Sequence, residues 1–159
     1  MIDNDVEIFD DELSALNDFG GATLTVRAAT PSTGHQFEPG GPLTFNGSDF
    51  LLNGDPKGTF ITGTESIVFT FADGVTNDEV NQIMQSLRYN NSSDTPPSSV
   101  SLDWVFSDGN DNGSQGDGGA LANVLGGTTV NIIAVNNEPT VDLDSVSYTH
   151  LTLPTNREV

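Results

Sequence analysis

Residues 107–117 carry side-chain oxygens at every second position, a spacing that suits a loop wrapped around a hard cation. Asp108, Asn110 and Asn112 alternate with other residues, and a glycine follows them. In such a loop alternate side chains point inward, and a glycine allows the sharp turn. Asp117 can close the same site from a different direction. The segment therefore predicts calcium ligands at Asp108, Asn110, Asn112 and Asp117.

The loop matches only the first half of the EF-hand calcium loop. That loop ends in a bidentate Glu, whereas the corresponding position here is Gly119. No helix is predicted on either side of the loop. The segment is therefore not an EF-hand, and the alternative to calcium binding is a solvated polar loop that uses Asn and Gly for turns.

Acidic residues dominate the charge of the chain. The sequence has 23 Asp and Glu against 4 Lys and Arg, for a formal net charge of −19. Such a charge repels nucleic acid and anionic membranes, so neither is expected as a partner. It also destabilises a compact state by self-repulsion. Divalent cations could neutralise it, and an acidic surface that needs no cation is the alternative.

Short apolar runs separated by turn signals predict an all-β fold. The segments 22–28, 66–71 and 100–106 alternate apolar and polar residues, which indicates strands with one buried face. Trp104, the single Trp, is expected as a core anchor. Shorter strands are predicted at 6–9, 43–45, 50–52, 59–62 and 128–135, with loops at 31–42 and 107–127.

One short helix is predicted over about 76–88, where Thr76 and Glu79 have the spacing of a capping box. Val80, Ile83 and Met84 share one face of this helix. Residues 10–16 fit either a helical turn or a loop. With about nine short strands, the pattern predicts an antiparallel sandwich.

The sequence offers no recognisable catalytic centre, and an enzyme is not expected. Cys is absent, and His35 is expected as an exposed loop residue. A zinc site lacks the nitrogen and sulfur ligands it needs, and no phosphate-binding glycine motif precedes a helix. Carboxylate pairs for glycoside hydrolysis stay open because acids are abundant, but no pair is singled out.

An ordered set of motifs resembles a known family of repeats. The set comprises residues 87–97, 100–106, 107–110, 118–120, 129–132 and 135–139. Together they resemble the cadherin-like, immunoglobulin-like tandem repeats of very large bacterial surface proteins of the RTX adhesin type, over roughly residues 5–144. The resemblance implies an immunoglobulin- or cadherin-like antiparallel β-sandwich, export, and calcium at or near the junctions between repeats.

The resemblance also divides the chain. Residues 1–5 correspond to a remnant of the preceding junction, 6–138 to one repeat, and 139–145 to the start of the next. The resemblance implies further calcium ligands at the second junction, namely Asn136, Glu138, Asp142 and Asp144. At this junction Asn137 replaces the usual Asp. The acidic run Asp10, Asp11 and Glu12 could add carboxylates, although such runs are usually solvated. Residues 146–159 resemble translated sequencing-adapter read-through and are expected to be non-native.

These features lead to two main hypotheses and a weaker third. The first is a calcium-stabilised spacer or adhesive module on the bacterial cell surface, with neighbouring repeats, calcium ions and cell-surface glycans or proteins as partners. The second is a carbohydrate-binding sandwich attached to a secreted enzyme. It needs a row of exposed aromatic residues, for which the candidates are Phe19, Phe37, Phe45 and Phe50. The third is a hydrolase fragment.

For the first hypothesis, the calcium sites are expected to bind with a Kd of about 10⁻⁴ to 10⁻³ M, as in other extracellular modules.

Overall fold

The computed structural model of the chain describes residues 1–110 and 119–135. Two helices lie within them, α1 (Asp11–Leu16) and α2 (Asn77–Ser86). The strands are β1 (Thr23–Ala28), β2 (His35–Glu38), β3 (Leu43–Asn46), β4 (Asp49–Leu52), β5 (Asp55–Thr62), β6 (Ser66–Phe71), β7 (Arg88–Asn91), β8 (Ser99–Ser107) and β9 (Ala122–Asn131).

The strands form one large and one small antiparallel sheet. The large sheet has seven strands in the order β3-β4-β5-β6-β1-β8-β9, and β2 pairs with β7 in the small one. All recorded strand pairs are antiparallel. The arrangement is sandwich-like, which confirms the prediction of a mainly antiparallel β-fold. A second helix, α1, occupies the segment for which the sequence left helix and loop open.

The centre of the large sheet buries the alternating residues that the sequence predicted. On β1, Leu24 lies between Phe69 and Phe106, and the next inward residue, Val26, lies between Ile67 and Trp104. All six are buried, including Trp104, as predicted. Each such side chain stabilises the fold by about 1.5–3 kcal/mol, so this layer is a substantial part of the hydrophobic core.

Helix α2 supplies apolar side chains to the same core. The Thr76 side chain accepts a hydrogen bond from the Glu79 N–H, and Glu79 Oε2 accepts one from the Thr76 N–H at 3.0 Å. Val80, Ile83 and Met84 are fully buried. The helix ends earlier than predicted, since Leu87 is already extended and Arg88 begins β7.

The predicted strand over 6–9 is wrong. The segment is hydrogen-bonded to side chains of α2 instead of to a neighbouring strand. Gln85 Nε2 donates to Val6 O at 3.1 Å, Asn81 Oδ1 accepts from Ile8 N at 2.9 Å, and Asn77 Nδ2 donates to Ile8 O at 3.0 Å. These amides recur every fourth residue and so share one face of the helix. They satisfy backbone groups that a strand partner would otherwise bond.

The prediction of His35 as an exposed loop residue is also wrong. His35 begins β2 and is only 9% exposed. Its Nδ1 lies 2.7 Å from Tyr89 Oη and its Nε2 lies 2.9 Å from Ser32 Oγ. Both ring nitrogens therefore have hydrogen-bond partners, which limits the cost of burying the ring.

The last described strand begins earlier than predicted, because β9 pairs with the whole of β8. Residues 122–127 of the predicted loop 107–127 therefore belong to a strand, and the strand predicted over 128–135 ends at Asn131. Gly126 and Gly127 fell within the predicted loop, but they lie within the strand. Gly126, with φ of +150°, lies beside the register shift between Trp104 and Val105. A β-bulge of this kind is a common place for glycine.

The ion pair at the start of α2 gives a first prediction. Lys57 Nζ lies 2.7 Å from Glu79 Oε1, and this hydrogen bond, reinforced by the Thr76 N–H, lowers the pKa of Glu79 from its ordinary 4.5. A carboxyl group whose pKa is lowered by folding stabilises the folded state at pH values above its unfolded pKa. This stabilisation is lost as the pH falls through the lower pKa of the folded state. Glu79→Gln keeps the capping geometry and should cost about 1 kcal/mol at neutral pH.

Urea denaturation measured from pH 7 downward checks this. The difference from wild type should shrink as the pH falls below 4.5. Asp78→Asn removes the same charge from the same helical turn without touching Lys57, and serves as the control. An equal effect of the two variants would contradict the role of the ion pair.

Candidate cation site at the Asp108 loop

Three turns meet at the end of the large sheet where β8 finishes. The turn 17–22 packs on the turn 72–75, since Asp18 Oδ1 accepts from Gly20 N at 2.9 Å and from Gly74 N at 2.8 Å. The turn 108–110 packs on the first of these through Gly109 and Gly21. This end of the sheet therefore concentrates carboxylate oxygens that already hold backbone N–H groups.

Asp108 closes the candidate loop. It is 9% exposed, and its Oδ1 accepts hydrogen bonds from Asn110 N at 3.1 Å and from Leu121 N at 2.8 Å. Its own N–H donates to Leu121 O at 3.1 Å. One carboxylate oxygen thus ties the two ends of the loop together, a common use of Asp at turns.

Gly109 is required where the loop meets the turn at Gly21. Its φ is +71°, and an added Cβ would lie against Gly21 O and 2.9 Å from Ala22 N. Both the backbone conformation and the contact therefore demand glycine. The sequence pattern predicted the sharp turn at the glycine after Asn112, and did not single out Gly109.

Two of the predicted calcium ligands, Asp108 and Asn110, are buried in the loop, where the Asn110 N–H donates to Asp108 Oδ1 at 3.1 Å. The other predicted ligands lie outside the described residues: Asn112, Asp117, Asn136, Glu138, Asp142 and Asp144. Within residues 1–110 and 119–135, no group of three or more acidic or histidine side chains is placed to hold a metal ion. Calcium binding by the loop therefore stays a prediction.

A pair of carboxyl groups near the N-terminus was not among the predicted ligands. A hydrogen bond between the Asp3 and Asp5 side chains lowers the pKa of Asp3 and raises that of Asp5, and repulsion by the Asp3 charge raises the pKa of Asp5 further. Asp3 Oδ2 also accepts from Thr128 Oγ1 at 3.1 Å, and Thr128 Oγ1 accepts from Trp104 Nε1 at 3.1 Å. The pair is thereby fixed to β9. The Asp-x-Asp spacing of residues 3–5 is the sequence feature that could have indicated this pair.

The protonation of Asp3 and Asp5 determines whether the two carboxyl groups attract or repel each other. Two adjacent carboxyl groups retain one proton more readily than an isolated group, because ionising both brings like charges together. Above the raised pKa of Asp5, both groups are charged and repel each other. A divalent cation can then take the place of the proton.

The acidic run near residue 10 has a structural role. Asp10 Oδ1 accepts from Leu13 N at 2.9 Å and forms the N-cap of α1, with Asp11 and Glu12 in the first turn. Negative charge is favourable at this end of a helix. The structure thus accounts for this run without a cation.

Comparisons with protein-family models, curated proteins and solved structures gave no match to this chain. Among the described residues, neither helix has the length and apolar character needed to cross a membrane.

The contact at Gly109 gives a second prediction. Gly109→Ala should destabilise the fold by roughly 3 kcal/mol or more, because strain at positive φ adds to the clash with the turn at Gly21. Gly47→Ala is the matched control: Gly47 has a φ of +64° and nothing within 4 Å of an added Cβ. It should cost only about 1 kcal/mol. Urea denaturation of both variants measures the difference, and equal costs would contradict the close packing of the two turns.

Proposed function

We propose that this chain is a calcium-stabilised structural or adhesive module of a large exported bacterial surface protein, acting as a spacer or cell-adhesion unit. The immunoglobulin- or cadherin-like type of sandwich, the tandem arrangement and the extracellular location belong to this proposal. Its partners are calcium, neighbouring repeats, and glycans or proteins of a cell surface.

The observation that carries the proposal is the Asp3–Asp5 pair. On the segment that resembles a junction, the Asp5 N–H donates to Asp3 Oδ1 at 3.2 Å, which brings the two acidic residues together, and Thr128 Oγ1 donates to Asp3 Oδ2 at 3.1 Å. At neutral pH their mutual repulsion destabilises this arrangement. Calcium prefers carboxylate oxygens, so its binding would convert the repulsion into attraction.

The overall charge supports the same mechanism. Among the described residues only two ion pairs form, Arg27 with Asp103 at 3.6 Å and Lys57 with Glu79 at 2.7 Å. Internal basic groups therefore offset little of the formal charge of −19. Cations from the surrounding solution are the remaining source of positive charge.

The path of the chain after β9 supports a junction at one end of the module. Residues 132–135 leave the sheet beside the loop 90–96, with which they line a groove of about 250 Å³. The predicted ligands Asn136, Glu138, Asp142 and Asp144 follow directly in the sequence. Calcium held by them would stiffen the connection to a following repeat at this end.

The carbohydrate-binding alternative has less support from the described residues. It needs exposed aromatic rings, yet Phe19 and Phe50 are fully buried. Phe45 stacks on Phe60 with ring centroids 4.1 Å apart, and Phe37 packs edge-on against Tyr89. All four candidate rings are thus engaged within the protein.

Thermal unfolding of the chain with calcium and with chelator tests the proposal. For a Kd of about 10⁻⁴ to 10⁻³ M, calcium at about 5 mM should add roughly 1–2 kcal/mol of stability. The Tm should rise by several degrees, and magnesium should act more weakly because it gives up its waters reluctantly. A Tm that is the same in calcium and in chelator would contradict the proposal.

The variant Asp5→Asn distinguishes calcium binding at Asp3 and Asp5 from general screening of the negative charge by calcium. Without calcium at neutral pH it should stabilise the fold slightly, because it removes the repulsion with Asp3. It should also reduce the gain from calcium. Asp55→Asn, which removes an exposed carboxylate on β5, is the control and should leave that gain unchanged. If calcium stabilised both variants equally, the Asp3–Asp5 pair would not be its binding site.

A further inference from the structure

Strand β9 forms one edge of the seven-stranded sheet. It pairs with β8 along its whole length. On its other side, no strand among residues 1–110 and 119–135 pairs with it. Within the described part of the chain this edge is unpaired, and an edge of this length presents a row of backbone donors and acceptors that can accept another strand.

The hydrogen-bond pattern identifies which backbone groups face outward. Ile132 N donates to Ser98 O at 2.9 Å, so its N–H points toward the β8 side. Alternate residues of an antiparallel strand bond to opposite sides. The backbone groups of Gly127, Thr129 and Asn131 therefore point away from β8. The residue opposite Thr129, Ser101, accepts from Ala29 N on the far side of β8, which agrees with this assignment.

The edge lacks most of the usual protection against strand addition. Residues 118–137 contain no charged side chain and no proline, in a chain with a formal net charge of −19. Natural edges are commonly protected by charge, by proline, by a β-bulge or by being short, and of these β9 has only the bulge beside Gly126. The opposite edge strand, β3, has only 4 residues, whereas β9 has 10.

Exposed apolar side chains are concentrated on the same segment. Leu121 is 75% exposed, Val124 54%, Ile133 90% and Val135 81%. They are four of the eight large hydrophobic residues that are exposed among the described residues. A partner that covers this edge would remove part of this apolar surface from water.

We propose that two copies of this chain associate through their β9 edges as an antiparallel pair that joins the two large sheets. The register follows from the outward-facing groups: Thr129 lies opposite the partner's Thr129, and Gly127 lies opposite the partner's Asn131. A two-fold axis at Thr129 lets these three positions on each copy exchange about six backbone hydrogen bonds. The segment Gly126–Asn131 provides the uninterrupted ladder, because the register shift lies before it.

The charge of the chain favours a second copy at this edge over other places of contact. Two copies that each carry a formal charge of −19 repel each other, and like charges placed directly opposite are destabilising. The residues of β9 add no charge of their own to such a contact, and the acidic groups recorded beside the ladder are Asp3, held by Thr128, and Asp103, opposite Gly127. The pairing itself uses no cation. Its two-fold axis lies next to Thr128, which holds Asp3, so screening of the Asp3 and Asp5 charges should strengthen the pairing.

Sedimentation equilibrium of the full chain in chelator tests the pairing. A concentration-dependent dimer is expected, strengthened by salt because the Debye length falls from about 10 Å at 0.1 M to about 3 Å at 1 M. Thr129→Pro removes an outward N–H that β8 does not use, so it should be tolerated in the strand and should weaken the dimer roughly tenfold or more. Thr129→Val keeps the N–H and the branched side chain, and should dimerise as wild type does.

Amide hydrogen exchange of the wild-type chain gives a second readout that needs no variant. Gly127, Thr129 and Asn131 should exchange more slowly as the protein concentration rises, whereas Thr128 and Val130 are protected by β8 at every concentration. A chain that stays monomeric in high salt would overturn the proposal. So would a dimer that Thr129→Pro and Thr129→Val affect equally, or one whose outward amides exchange at an unchanged rate.

Discussion

The structure depends on covering one face of a seven-stranded sheet while the chain carries a formal charge of −19. The attractive side of this balance is apolar burial, in which Val80, Ile83 and Met84 of α2 join the inward residues of the sheet. The opposing side is repulsion among acidic groups, which grows as the chain becomes compact. Because folded domains are stable by only about 5–15 kcal/mol, the partial neutralisation of these acids affects the whole fold.

Much of the fold could be predicted from local sequence patterns. The strict alternation around Leu24, Phe69 and Trp104 encodes the inner face of three neighbouring strands, because a strand turns successive side chains to opposite faces. The capping box at Thr76 likewise fixed the start of α2, since it depends on residues only three positions apart. Where the information lies within a few residues, prediction and structure agree.

The remaining features depend on partners far along the chain. The segment around Ile8 is apolar like a strand, yet its hydrogen bonds come from Asn77 and Asn81 of α2. His35 is buried because β7 supplies Tyr89, and no local pattern indicates this. In the candidate site, the Asp-Gly-Asn spacing predicted ligands at Asp108 and Asn110, whereas Asp3 and Asp5 were assigned only to a remnant of a junction. Local spacing could not show that Asp108 closes its loop through Leu121 or that Thr128 holds Asp3.

We propose that calcium binds between carboxylates and does more than screen their charge. Urea unfolding in calcium chloride and in sodium chloride at equal ionic strength tests it most directly, since general screening depends on ionic strength alone. The account predicts a larger free energy of unfolding in calcium at every matched strength, with a gain that saturates in the low millimolar range. Equal free energies in the two salts would contradict it.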